Sequence, residues 1–176
     1  MRLLALLFYF LSATVAVAAE PDIFNAARDG DVAAIDRYLA AGGDKEARTG
    51  RDYTPFILAA YYGQNAALER LQKAGANPCA EDEAGSTAFM GVAFRGHLAT
   101  AQWLLDHTTC DVNHQNAAGQ TALMMASLFG REEIITLLLA HGAKPGIIDQ
   151  RGNSAASLAK AQGLDKVVKM LTFPLQ

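Results

Sequence analysis

Residues 119–143, GQTALMMASLFGREEIITLLLAHGA, decide the fold of this 176-residue chain, because they contain two short helical patterns separated by one glycine. Thr121 can cap the first helix, and Gly130 ends it in the left-handed conformation that glycine tolerates best. Beyond Gly130, apolar residues recur at helical spacing as far as Leu139. One such unit cannot cover its own apolar face, so the pattern predicts stacked neighbours of the same kind.

The same landmarks recur along the chain every 33 or 34 residues. A glycine ends the first helix of each unit, and a hydroxyl residue opens it; the glycines are Gly30, Gly63, Gly96, Gly130 and Gly163, and the hydroxyl residues Thr54, Thr87, Thr121 and Ser154. Both series take one extra residue between Gly96 and Thr121, which we place in Thr108-Thr109-Cys110. A period of this length is the signature of a repeat array.

Residues 119–143, and the stretch YTPFILAAYYGQ at 53–64, resemble ankyrin repeats. The resemblance covers residues 22–172 and implies an all-α ankyrin-repeat solenoid of about five helix-turn-helix repeats with short connecting fingers. The domain is expected to span 20–176, with repeats at about 22–49, 50–82, 83–116, 117–149 and 150–172.

The family's Thr-Pro-Leu-His signature survives only as Thr54-Pro55-Phe56-Ile57. The signature histidine is replaced in this chain, in order, by Ile57, Met90, Met124 and Ser157. We therefore expect the family's histidine hydrogen-bond network to be absent and the array to be less stable than one built from consensus repeats.

The first residues, MRLLALLFYFLSATVAVAAEP, have the pattern of a secretory signal peptide. Arg2 precedes an apolar run that ends near Val17, and small residues follow at Ala16-Val17-Ala18. The run is shorter than the roughly 20 residues of a membrane span, which argues against the alternative of an anchor. The sequence thus predicts a signal peptide at 1–19 and export across the inner membrane, to the periplasm.

The charge of the chain argues against binding to nucleic acid. Lys and Arg number 15 and Asp and Glu 18, and Arg2 is the one charged residue within 1–19. A nucleic-acid surface would need a clustered basic stripe, which this acidic chain lacks. We expect no nucleic-acid partner, and no membrane association after the signal peptide is cleaved.

Two cysteines, Cys79 and Cys110, lie in the connecting segments of adjacent repeats. In an oxidising compartment they could pair. Stacked repeats are about 10 Å apart, which exceeds the limit of roughly 7 Å between the Cα atoms of a disulfide. The extra residue near Cys110 could close that gap, so a disulfide and two separate thiols both remain open.

A second cluster raises the alternative of a redox- or metal-responsive module built on Cys79, Cys110, His107 and His114. Its spacing could suit zinc, but a fourth ligand is not evident and no C-x-x-C motif is present. Nucleophile motifs and phosphate-binding loops are also missing from the sequence. We predict that the protein is not an enzyme, holds no metal and needs no cofactor.

The resemblance assigns the two residues before each landmark glycine to the exposed concave groove of the array. In order, these are Arg28-Asp29, Tyr61-Tyr62, Phe94-Arg95, Leu128-Phe129 and Ala161-Gln162. An exposed aromatic patch usually marks an interaction site, and aromatic and arginine side chains are the commonest anchors of interfaces. The residues predicted to bind a partner protein are Tyr53, Tyr61, Tyr62, Phe94, Arg95, Leu128 and Phe129. Exported bacterial ankyrin proteins of this size resemble periplasmic helpers of oxidative-stress enzymes such as catalase, which implies a similar helper role.

Overall fold

The computed structural model describes residues 22–172, so the predicted signal peptide at 1–19 lies outside the described residues. Between Asp22 and Thr172 the chain forms ten α-helices and one isolated β-bridge, Ile148 with Ser154. The helices are α1 (Ile23–Asp29), α2 (Val32–Ala40), α3 (Pro55–Tyr61), α4 (Asn65–Lys73), α5 (Ala88–Arg95), α6 (Leu98–His107), α7 (Ala122–Leu128), α8 (Glu132–Ala140), α9 (Ala155–Ala161) and α10 (Asp165–Thr172). The predicted all-α solenoid of five helix pairs is confirmed.

All four hydroxyl residues stand at the N-caps of first helices, as the sequence pattern predicts, and three of them make a capping hydrogen bond. Thr54 Oγ1 accepts the backbone N–H of Ile57 at 3.1 Å, and Thr121 Oγ1 accepts that of Met124 at 3.3 Å. Thr87 occupies the same position of α5 but makes no capping bond. In the last repeat Ser154 and Ser157 bond reciprocally in a capping box, so the serine that replaces the signature histidine takes part in the cap.

The odd-numbered helices stack in chain order into one layer, and each even-numbered helix packs against the odd-numbered helix before it. Fully buried alanines on the odd-numbered helices allow their close approach: Ala59, Ala60, Ala93 and Ala126. The larger core side chains, such as Phe56, Leu71 and Ile135, lie between the two layers. One side of the odd-numbered layer is therefore covered, and the opposite side, which we call the open face, remains available to solvent.

Each landmark glycine except Gly163 is covered by a side chain of the following repeat. Gly63 has φ of 75°, and a Cβ placed there would lie 3.1 Å from the imidazole ring of His97. The same relation joins Gly30 to Gln64, Gly96 to Arg131 and Gly130 to Leu164. The covering residue is always the one that follows the next landmark glycine. Glycine therefore suits these positions for two reasons. It adopts the left-handed backbone conformation easily, and its lack of a side chain leaves room for the next repeat to pack closely.

The connecting fingers are joined to one another by backbone hydrogen bonds. Glu83 donates to the carbonyl of Arg51 at 3.2 Å, and Ala117 donates to that of Ala84 at 2.9 Å. Gln150 continues the series by donating to the carbonyl of Ala118 at 3.0 Å. These bonds hold the fingers in fixed positions beside the open face.

The third repeat departs from the others where its second helix ends. In the neighbouring repeats this turn contains a glycine in the left-handed conformation, such as Gly75 or Gly142. The third repeat has no glycine there; α6 runs to His107, and Thr108 continues in an extended conformation with φ of −129° and ψ of 159°. The chain therefore enters the Cys110 segment on a different path from its neighbours.

Candidate functional site

Four aromatic rings form a continuous row on the open face across the second, third and fourth repeats. Their ring centres are 5.3 Å apart for Tyr62 and Tyr61, 6.1 Å for Tyr61 and Phe94, and 4.7 Å for Phe94 and Phe129. We call Tyr62, Tyr61, Phe94 and Phe129 the aromatic row. Each ring lies at or next to the end of a first helix, so the repeat period itself brings them together.

The aromatic row lies at the surface rather than in the core. Tyr62, Phe94 and Phe129 are 38%, 37% and 41% exposed, although each also contacts another ring. Tyr61 is half-buried because it lies over Gly91, whose absent Cβ would be 3.3 Å from Tyr61 Cδ2. Contiguous apolar surface of this kind is typical of an interaction site.

Beside the aromatic row, the open face holds a cleft with a volume of about 420 Å³. Its lining includes the tyrosines and Phe94 together with the apolar side chains of Ile57, Leu58, Met90 and Met125. Tyr53, Asp82, Ser86 and Thr87 line the cleft where the fingers join the helices. The cleft is thus largely apolar, with one carboxylate at its finger end.

Asp82 also has a structural role in its finger. Its Oδ1 accepts the backbone N–H of Ala84 at 2.9 Å and that of Ser86 at 2.8 Å. These two bonds fix the turn that brings Asp82 to the cleft. The sequence pattern did not single out this residue.

Two guanidinium groups lie over the tyrosine rings. The Arg95 guanidinium carbon is 5.2 Å from the centre of the Tyr61 ring and 6.0 Å from that of Tyr62. Arg28 approaches Tyr62 with a separation of 5.8 Å. Cation–π contacts at these distances are attractive, so they hold both arginines at the edge of the aromatic row.

The remaining predicted partner-binding residues lie close to this arrangement. Tyr53 is half-buried and lines the cleft. Leu128 is the half-buried last residue of α7 and lies outside the cleft lining. The structure therefore brings six of the seven predicted residues into the row, its arginine edge or the cleft.

Gly91, Met90 and Met125 belong to the site but were not predicted. Gly91 had a detectable signal, because a glycine inside a helix costs about 1 kcal/mol relative to alanine and calls for a packing reason. The two methionines gave no such signal. Apolar residues at those positions fit an ordinary helix core equally well.

Cys79 and Cys110 are joined by a disulfide, with their Cα atoms 5.4 Å apart. Neither cysteine lines the cleft. The bond links the connecting segments of the second and third repeats and closes a sequence separation of 31 residues. With both sulfur atoms in the bond, neither is a thiolate available to a metal.

The structure does not assemble the alternative metal or redox site. His107 stacks on Trp103, and its Nδ1 lies 2.8 Å from the Trp103 carbonyl oxygen. Nε2 of His114 lies 2.9 Å from the carbonyl oxygen of Gly85. Within residues 22–172, no three His, Cys, Asp or Glu side chains are grouped closely enough to hold a metal ion.

His97, which follows Gly96, and His141, which precedes Gly142, have local contacts. Nδ1 of His141 lies 2.9 Å from the Leu137 carbonyl oxygen, so this ring bonds the last turn of α8. His97 covers Gly63, and its Nε2 is buried without a hydrogen-bond partner in the described part of the chain. Both residues contribute to packing at the ends of helices.

Comparison with known proteins points to one family. A family model described as ankyrin repeats matches the chain in three overlapping copies, at residues 23–116, 56–149 and 89–174. The ankyrin repeat protein YahD of Escherichia coli strain K12 is 29% identical, over 85% of this chain and 94% of that protein. An ankyrin repeat-containing protein of Treponema pallidum strain Nichols is 33% identical, over 80% of this chain and 47% of that protein.

Proposed function

The chain belongs to the ankyrin-repeat family, and from that premise we propose that it binds a partner protein on its open face, through the aromatic row and the adjoining cleft. Ankyrin repeats are generally protein–protein interaction modules and are typically not catalytic. The observation that carries the proposal is the unbroken contact of four exposed or half-exposed rings across three repeats.

The aromatic row can contribute part of the free energy of binding to a partner. Complete burial of one large apolar side chain contributes about 1.5–3 kcal/mol. Tyr62, Phe94 and Phe129 each retain more than a third of their exposure, so a partner that covers them gains part of that energy from each ring. Interface anchors are most often aromatic or arginine side chains of this kind.

The surface is also organised before the partner arrives. The rings pack on one another, Arg95 lies on two of them, and the fingers are held by backbone hydrogen bonds. Ordering a free side chain on binding costs about 0.5–1.5 kcal/mol. A row whose rings are already held in place loses less of its contact energy to that cost.

We propose the periplasm as the compartment and assistance to a stress-response enzyme as the role. The apolar pattern at 1–19 supports export, and the Cys79–Cys110 disulfide fits an oxidising compartment. In the described part of the chain, no helix has the length and apolar character needed to cross a bilayer. The helper role is the one implied by the resemblance to exported bacterial ankyrin proteins. Identification of the cross-linked partner tests it.

Photo-cross-linking at single positions tests the proposed surface. The photoreactive amino acid benzoylphenylalanine replaces Phe129 in one version of the protein and Leu98 in another, since the two side chains are similarly exposed at 41% and 43%. Leu98 begins α6, in the other helix layer, and lies outside the cleft lining. We expect a defined protein adduct from position 129 and none from position 98.

A double variant provides the second arm of this test. Tyr61→Ala/Phe129→Ala should retain its helical circular dichroism spectrum but no longer capture the cross-linked partner. Adducts formed only from position 98, or unchanged capture by the double variant, would reject the open face as the binding surface.

A further inference from the structure

Arg28 and Arg95 are the feature of the site that the proposed function leaves unexplained. The ion pairs found within residues 22–172 are Arg70–Asp36, Lys73–Glu69, His114–Glu81 and Lys166–Glu132. Neither Arg28 nor Arg95 takes part in any of them, although both are exposed and lie beside the cleft. Two charged groups therefore lie beside the cleft without an ion-pair partner among residues 22–172.

Most of the hydrogen-bond donors on these two arginines are free. Nη1 of Arg28 donates to Oδ1 of Asn25 at 2.6 Å. The Arg95 side chain donates no hydrogen bond to any group in the described part of the chain. A guanidinium group has five N–H donors, so the pair retains enough donors to bind an incoming anion in a bidentate way.

The contact with the tyrosine rings restricts how those donors are presented. A guanidinium group that lies over an aromatic ring uses none of its N–H donors in a hydrogen bond there, so the planar edge that carries them remains available. That edge matches the two oxygens of a carboxylate, and the resulting charge-assisted bonds are roughly twice as strong as neutral ones. An ammonium group in the same place would not offer this geometry.

The charge at the other end of the cleft gives the ligand a direction. Asp82 lines the cleft at its finger end, whereas Tyr61 and Tyr62 lie at the far end of α3. Seven helical residues separate these ends by about 10 Å. An acidic group would be repelled near Asp82 and attracted near Arg28 and Arg95, so the apolar part of the same ligand would occupy the cleft between them.

From this arrangement we infer that the partner presents an extended peptide segment with an Asp or Glu side chain, whose carboxylate binds at the edge of the aromatic row that Arg28 and Arg95 flank, while a neighbouring apolar side chain enters the cleft. The inference rests on the proposed function, because it names the chemistry of the partner at the same surface. It requires three to four residues of extended peptide, at about 3.3 Å per residue, to span from the arginines to the fingers.

A peptide selection tests this inference without knowledge of the partner. Random dodecapeptides displayed on phage are selected on the purified protein, produced from its full-length sequence, and the strongest binder is synthesised with a fluorescent label. We expect it to contain Asp or Glu beside an aliphatic or aromatic residue. Replacing that acid by its amide should weaken binding to the unmodified protein about tenfold, as expected for loss of a charge-assisted bond.

Variants of the protein are then compared for binding to the acidic peptide and to its amide form. Arg28→Gln/Arg95→Gln should bind the acidic peptide about tenfold more weakly and should no longer distinguish it from its amide form. Arg37→Gln is the matched control, because Arg37 is an exposed arginine of α2 with no side-chain bond within residues 22–172. Arg95→Lys keeps the charge but loses the planar edge, so its affinity should lie between those of the unmodified protein and Arg95→Gln.

Several outcomes would overturn the inference. Selected peptides without acidic residues, no enriched peptide at all, or equal binding by the double arginine variant would each do so. Stronger binding by a phosphoserine version than by the acid would assign the arginines to phosphate instead. If Tyr61→Ala/Phe129→Ala loses the peptide while the arginine variant keeps it, only this inference fails; if neither variant affects binding, the proposed surface fails as well.

Discussion

Gly91 lies directly beneath Tyr61, so that a methyl group added to this glycine would come within 3.3 Å of Tyr61 Cδ2. Gly91 is inside α5, where glycine is the least favourable residue apart from proline. The chain thus carries a locally unfavourable residue at a position of α5 that supports a ring of the aromatic row. This relationship connects the stability of the array to its recognition surface.

The substitution Gly91→Ala should therefore separate stability from binding. We expect the free energy of unfolding to rise by up to about 1 kcal/mol, since alanine favours the helix, and binding at the open face to weaken because the Tyr61 ring is displaced. Urea unfolding and titration with the selected peptide measure the two effects. In a Tyr61→Ala background, Gly91→Ala should have no further effect on binding; an additional loss there would show that the glycine acts by another route.

The disulfide should contribute substantially to stability. Closing a loop of 31 residues lowers the entropy of the unfolded chain, which corresponds to about 3.7 kcal/mol. Urea unfolding of the oxidised protein should shift to lower urea concentration when a reductant is added. Cys79→Ser/Cys110→Ser should be equally destabilised and insensitive to reductant. A midpoint that does not move on reduction would contradict this expectation.

His97 occupies a position where a glutamine should be more stabilising. Gln64 and Arg131 cover their glycines and also donate hydrogen bonds to the carbonyl groups of Arg28 and Phe94, at 3.0 and 3.3 Å. His97 covers Gly63 in the same way, but its Nε2 is buried without a partner. His97→Gln should gain about 1 kcal/mol of stability by donating to the equivalent carbonyl, that of Tyr61. Gln64→Ala is the converse variant and should lose a similar amount; a destabilised His97→Gln protein would refute the equivalence.

Asp149 should make the fourth finger sensitive to acid. The pKa of Asp149 is lowered chiefly by the backbone N–H of Asn153, which donates to its carboxylate, with a further contribution from Arg151. Because the folded-state pKa lies below the unfolded value, the ionised carboxylate stabilises the fold above about pH 4. That contribution is lost as the pH falls through the lowered pKa.

The isosteric substitution Asp149→Asn tests this dependence. The variant should unfold at lower urea concentration than the unmodified protein at pH 7, and the two midpoints should converge as the pH is lowered below 4. Glu83→Gln serves as a control at an exposed carboxylate with no side-chain bond within residues 22–172. A difference at Asp149 that is the same at every pH would mean that the side chain acts through its shape rather than its charge.

The sequence predicted the fold well because the landmarks of a repeat act locally. A capping hydroxyl such as Thr54 and a glycine such as Gly63 define the ends of a helix without reference to the rest of the chain. The repeat period then determined which residues meet on the open face. The helix pairs could therefore be predicted from the spacing, and the resemblance to ankyrin repeats then assigned the residues of the aromatic row to the exposed groove.

Features that depend on contact between side chains could not be derived in this way. The usual spacing of stacked repeats left the pairing of Cys79 and Cys110 open; in the structure their Cα atoms are 5.4 Å apart, where the chain follows the extended Thr108. The position of the Arg95 guanidinium group over the tyrosine rings depends on the directions of three side chains. Spacing contains no information on those directions.

The covering of each landmark glycine by the next repeat has a consequence for how such a chain can change in length. Gly63 and the residue that covers it, His97, are separated by one period and one residue, so a duplicated or deleted segment keeps every pair matched only if it contains whole periods. Gly163 has the same backbone conformation, with φ of 71°, but has no atom of the described chain within 4 Å of its missing Cβ. The packing between repeats therefore has a direction, because each landmark glycine is covered only by the repeat that follows it. A further repeat with a side chain at the equivalent position would cover Gly163 in the same way.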